Sequence, residues 1–84
     1  MPETDKRNAA KELGTIIQFH RQRAGLSRQQ IALLAGMGKT TVFDIEHGKE
    51  TVQLNTVLKL LTVLNIRITF ESPLMETFYR SKNK

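Results

Sequence analysis

Between two runs of helical periodicity stands the tetrapeptide Ala35-Gly36-Met37-Gly38, and no other stretch limits the fold so strongly. Two glycines around one apolar residue disfavour a continuous helix, because glycine loses the most backbone freedom on ordering. The segment ahead of the break carries its own start signal. Ser27 stands three residues before Gln30, the spacing of a capping box, and Leu26 and Ile31 fall at the N′ and N4 positions of a hydrophobic staple. A helix is expected from Ser27 to about Ala35. Beyond the break the helical pattern resumes from Lys39 through Glu46, with Val42 and Ile45 facing inward and Gly48 just past the end as a C′ residue. With Gly38 as its N-cap, Met37 and Val42 form a second staple that sets the angle of the corner.

Elsewhere, Leu13, Ile16, Ile17 and His20 recur on one stripe of a first helix, roughly Asn8 to Ala24, with Gly25 as its stop. Leu54, Val57, Leu58, Leu61 and Leu64 recur at the spacing of a fourth helix, which Asn65 can end in a left-handed conformation. The period then falls to two. Ile66, Ile68 and Phe70 alternate with Arg67, Thr69 and Glu71 before Ser72 and Pro73, the pattern of one β-strand. A lone strand cannot satisfy its own backbone groups, so its simplest partner is the same strand of a second subunit. The expected fold class is therefore all-α, four to five helices, with one C-terminal β-strand pairing across a homodimer. Residues 1–84 form a single domain in this reading, residues 66–71 the dimerisation strand, and residues 72–84 a short docking element or frayed tail.

Composition removes several classes of function. Eighty-four residues are too few for a multidomain enzyme, and the absence of cysteine excludes disulfides and thiolate metal sites. The longest apolar runs fall far short of the roughly 20 residues that span a bilayer, and the start MPETDKRNAAKE lacks the apolar stretch of a signal peptide. A cytoplasmic protein without membrane association is expected. A net charge of +5 favours a polyanionic partner, and the excess is spread: Leu13 to Glu71 alone carry seven basic and four acidic residues.

Two short helices around a tight glycine corner, flanked by a longer helix and a further one, form a helix-turn-helix arrangement. The stretch LSRQQIALLAGMGKTTVFDIEHGK resembles the Cro/CI-type (XRE) family of transcriptional regulators, with the turn glycine and the IE-x-G-K ending of that family. The resemblance covers roughly Leu13 to Leu64. The continuation ETVQLNTVLKLLTVLNIRITFESP, a leucine-rich helix running into a strand and a proline, is similar to the HipB-like antitoxin branch. The resemblance implies a lambda-repressor-like fold and a homodimeric repressor of its own promoter. It also implies a palindromic double-stranded operator and a HipA-like kinase toxin as partner. A stand-alone phage-type repressor, or a protein-interaction module on the same scaffold, are the alternative readings.

The same resemblance, supported by side-chain chemistry, assigns the site. Lys39, Thr40, Phe43 and Asp44 face base edges. Lysine can donate to guanine, Thr40 or Phe43 can touch a thymine methyl, and Asp44 can accept only from a cytosine amine or pair instead with Lys39 or Lys49. Arg28, where the family usually has glutamine, is expected on phosphate, together with Gln29, Thr41, Lys49, Gln53 and Asn55. An ordinary solvated loop is the competing reading of the last three. Arg21 and Glu46 are implied to form an internal ion pair.

Catalytic readings find little support. GMGKT lacks the glycine of a P-loop at Leu33 and follows no strand, and Asp44 with His47 has no nucleophile or third ligand to serve. No catalytic residue, metal or cofactor is expected. His20 reads as a core or boundary residue of helix one, Ile16 as core, and Phe19 as either core or docking patch. Phe78 and Tyr79 either dock a partner or pack on their own domain.

Overall fold

The structure, a computed structural model, describes residues 6–82. Five helices follow one another: α1 Lys6–Arg23, α2 Arg28–Ala35, α3 Lys39–Glu46, α4 Leu54–Val63 and α5 Met75–Lys82. At the N-terminus of α2 the capping box is complete. Ser27 Oγ accepts from the Gln30 amide at 3.0 Å, and Gln30 Oε1 accepts from the Ser27 amide at 2.8 Å.

One device ends each of the first four helices. A residue with positive φ (Gly25 at 73°, Gly36 at 72°, Gly48 at 80°, Asn65 at 59°) turns the chain back. The next amide then reaches the carbonyl five residues earlier: Leu26 to Arg21, Met37 to Ala32, Lys49 to Asp44 and Ile66 to Leu61, at 2.9–3.2 Å. Leu26, Met37 and Ile66 also pack on the core, so three of the four turns are anchored by an apolar residue just after the bend. At Gly36 this produces the corner between α2 and α3, and Gly38 caps α3 from an extended conformation.

The core lies where α1, α2, α3 and α4 meet. Ile17, Ile31, Ala32, Ala35, Val42, Ile45, Val57, Leu60 and Leu61 form it. The inner face of α4 is thus Val57, Leu60 and Leu61; Leu54 and Leu58, on the same sequence periodicity, face solvent. Ile16 also departs from expectation, being 38% exposed, and His20 is exposed at the rim of its stripe with Nδ1 bonded to the Ile16 carbonyl. Phe19 is exposed under the Arg23 guanidinium, 4.8 Å from its ring centroid. Gly14 is where α1 comes closest to α3: a Cβ there would stand 2.5 Å from the Ile45 carbonyl oxygen and 2.6 Å from that of Glu46.

The C-terminal expectations need correction. Ile66, Ile68 and Phe70 form no β-strand among the described residues; 66–71 instead link α4 to α5. The physical reason is the one that made the strand conditional: a ladder needs a second strand, and none occurs among the described residues. Ile66 packs on the core, while Ile68 and Phe70 are exposed. The following tail contains the helix α5, which buries no residue and leaves Phe78 and Tyr79 in edge-to-face contact with each other on its surface.

The contact at Gly14 yields a prediction that opposes helix propensity. Alanine is favoured over glycine inside a helix by about 1 kcal/mol. Gly14→Ala should nevertheless destabilise by about 1–3 kcal/mol, because the new methyl group meets backbone that cannot step aside. A denaturant midpoint that rises in the variant would contradict the packing described.

Candidate nucleic-acid interface

The site is built around a buried acid. Glu46, at the last turn of α3, is 4% exposed and accepts from two arginines brought by different helices. Arg21 of α1 donates from Nε to Oε2 at 2.5 Å and from Nη2 to Oε1 at 3.2 Å, and its Nη1 donates to the Leu26 carbonyl at 2.8 Å. Arg28 of α2 donates from Nε to Oε1 at 2.9 Å. The expected Arg21 and Glu46 pair is therefore present, and Arg28 joins it. One negative charge between two positive ones leaves a surplus of one cation, and Arg28, the more exposed of the two arginines, carries it toward the surface.

Above this cluster lies the outer face of α3. Lys39, Thr40 and Phe43 stand on one side of the helix and, with Arg28 from the first turn of α2, line a single concave surface. Phe43 is held from two directions. The Arg28 guanidinium carbon is 5.1 Å from its ring centroid, and the His47 imidazole stacks on it at 3.9 Å and 22°. His47 Nδ1 lies 2.7 Å from the Phe43 carbonyl oxygen, and since a carbonyl only accepts, the bond requires the proton on Nδ1. That bond and the stacking fix the imidazole one turn below the phenyl ring.

The other expected contacts are distributed around this face. Asp44 lies beside it and accepts from Lys49 Nζ at 3.4 Å, which is the pairing with Lys49 rather than Lys39. An ion pair this exposed contributes about 0–1 kcal/mol, so either side chain is readily diverted. Gln29 is exposed on α2 and Thr41 half-buried on α3. Gln53 occupies the N-cap of α4 without a side-chain cap bond, and Asn55 follows in the first turn, both exposed. The unpaired amides of that helix end and two free polar side chains suit a phosphate oxygen.

Two features lie outside the residue pattern. Arg28, expected on phosphate, also bonds Glu46, a contact across 18 residues that no local spacing encodes. Gly14 carried no turn signal, and only the crossing of α1 over the end of α3 explains it. Among the described residues no group of three metal-ligating side chains occurs, and no helix is long and apolar enough to cross a membrane.

Comparison with known proteins agrees with this geometry. The family model described as Helix-turn-helix matches residues 17–70. A protein of Sinorhizobium fredii (strain NBRC 101917 / NGR234), named as the uncharacterized HTH-type transcriptional regulator y4mF, is 31% identical over 62 residues. The similarity covers 74% of this chain and 82% of that protein.

Removing the acid should expose its structural weight. Glu46→Ala leaves Arg21 buried without its partner and is expected to cost about 3–5 kcal/mol in denaturant unfolding. An unchanged unfolding free energy would show that the cluster contributes nothing to holding α1, α2 and α3 together.

Proposed function

The chain belongs to the helix-turn-helix family and is a DNA-binding transcriptional regulator, and from that premise we propose that it is a sequence-specific repressor acting as a homodimer on a palindromic operator. The observation that carries this reading is the concave face of Arg28, Lys39, Thr40 and Phe43, cationic at its edges and apolar at its centre, on the helix that follows the glycine corner. A major groove about 12 Å wide admits such a helix. Lys39, Thr40 and Phe43 meet base edges, with Asp44 at the margin. Gln29, Thr41, Lys49, Gln53 and Asn55 meet the sugar-phosphate backbone and set the register.

Two copies are needed for a palindrome, and residues 66–71 are suited to join them. Ile68 and Phe70 are exposed at 45% and 67%, apolar surface that a second copy would cover while completing the backbone ladder. A HipB-like role, with autoregulation of a toxin-antitoxin promoter and a HipA-like kinase as partner, is supported by the resemblance of residues 50–73. Co-purification with the product of a neighbouring kinase gene tests that part separately.

A gel shift on the DNA upstream of its own gene tests the central reading. A discrete complex that survives excess random DNA is expected, and equal competition by random DNA would refute sequence-specific repression. Lys49→Ala should weaken binding to all duplexes alike and reduce the slope of log K against log salt by about 1. Sedimentation should show a dimer, converted to monomer by Ile68→Asp with Phe70→Asp; a parent protein that sediments as a monomer would remove the strand pairing.

A further inference from the structure

We propose that Arg28 reads a guanine base rather than a phosphate, with Phe43 against the 5-methyl group of a nearby thymine. Each half-site then contains a guanine and a thymine within about two base steps of each other. The inference rests on the DNA-binding reading above and adds to it a base-reading residue on α2.

The argument begins with how Arg28 is held. A surface arginine on phosphate swings freely, but here Nε is tied to the buried Oε1 of Glu46 at 2.9 Å, and the guanidinium lies over the Phe43 ring. Both contacts restrain the group before any ligand arrives. With Nε engaged, the two terminal nitrogens form the remaining donor edge, two parallel N–H bonds that match guanine O6 and N7. Glu46 does not neutralise this cation, because Arg21 already occupies the carboxylate through two bonds.

Position supports the same assignment. Arg28 lines the concavity that Lys39, Thr40 and Phe43 also line, on the face of α3 that enters the groove, and not the exposed region near Lys49, Gln53 and Asn55. Phe43, stacked on His47 and 45% exposed, offers an apolar surface that no phosphate would use and that a thymine methyl would fill. The guanidinium carbon and the ring centroid are 5.1 Å apart, within two base steps of about 3.4 Å each, so the two side chains reach nearby bases of one half-site.

The test uses the preferred site selected from random-sequence duplexes by the full chain. Replacing the guanine by 7-deazaguanine removes the N7 acceptor and should weaken binding about tenfold in the parent protein. The same replacement should have little effect in Arg28→Met, which keeps the length of the side chain and has no donor. Deoxyuridine at one of the thymines within two steps of that guanine should weaken the parent about fourfold and leave Phe43→Ala unaffected. These analogues alter only the DNA, so they report even if a variant is destabilised. The proposal is overturned if 7-deazaguanine is neutral at every guanine of the site. It is equally overturned if Arg28→Met weakens selected and random duplexes in equal measure, the behaviour of a phosphate contact. Failure of the parent to select any site would instead overturn the DNA-binding reading itself, and is seen before any analogue is used.

Discussion

A carboxylate withdrawn from water stays ionised only where cations and hydrogen bonds replace its hydration, and Glu46 meets that condition with arginines from two other helices. Three elements are thereby referred to one side chain. Apolar packing of Ile17, Ile31, Val42 and Ile45 holds the same helices together but has no preferred direction, whereas hydrogen bonds from Arg21 and Arg28 have both length and angle. An apolar substitute could leave such a core equally stable. It would not orient the guanidinium that reaches the reading face, and on this view the ion cluster serves alignment as much as stability.

The parts of the fold that were legible from sequence are those whose cause is local. The spans of α2 and α3 follow from Ser27, Gln30, Gly36, Gly38 and Gly48, because caps and left-handed turns are satisfied within a few residues. The outer face of α3 was legible for the same reason, since a helix of known start presents Lys39, Thr40 and Phe43 together. Contacts between helices were not. The bond from Arg28 to Glu46, the approach at Gly14 and the outward turn of Leu54, Leu58 and His20 depend on how helices cross, which one chain's periodicity does not specify. The alternating segment 66–71 is no strand within the single chain because alternation describes a side-chain pattern, while a strand also requires a neighbour.

The same distinction separates the two ends of the molecule. The corner and the outer face of α3 are complete within one chain, every buried polar side-chain atom among the described residues having a partner. The C-terminal region is incomplete by contrast. Ile68, Phe70, Leu74, Phe78 and Tyr79 present apolar surface along a linker and a helix that bury little of it. Surface of that kind is where soluble proteins meet other copies or partners. The candidate site is thus carried by the packed core, and the apolar surface lies in the segment that follows it.

The left-handed closures at Gly25, Gly36, Gly48 and Asn65 have a kinetic corollary. Each of the first four helices is terminated by bonds to its own last turn, and these helices are joined by links of three to seven residues. Little loop entropy is spent before neighbours can collide, and mean sequence separation between touching residues stays small, as in other all-helical bundles. Such a chain belongs among proteins that reach their native state within about microseconds to milliseconds. A cellular pool that is made and destroyed rapidly would then be replenished in working form as fast as it is synthesised.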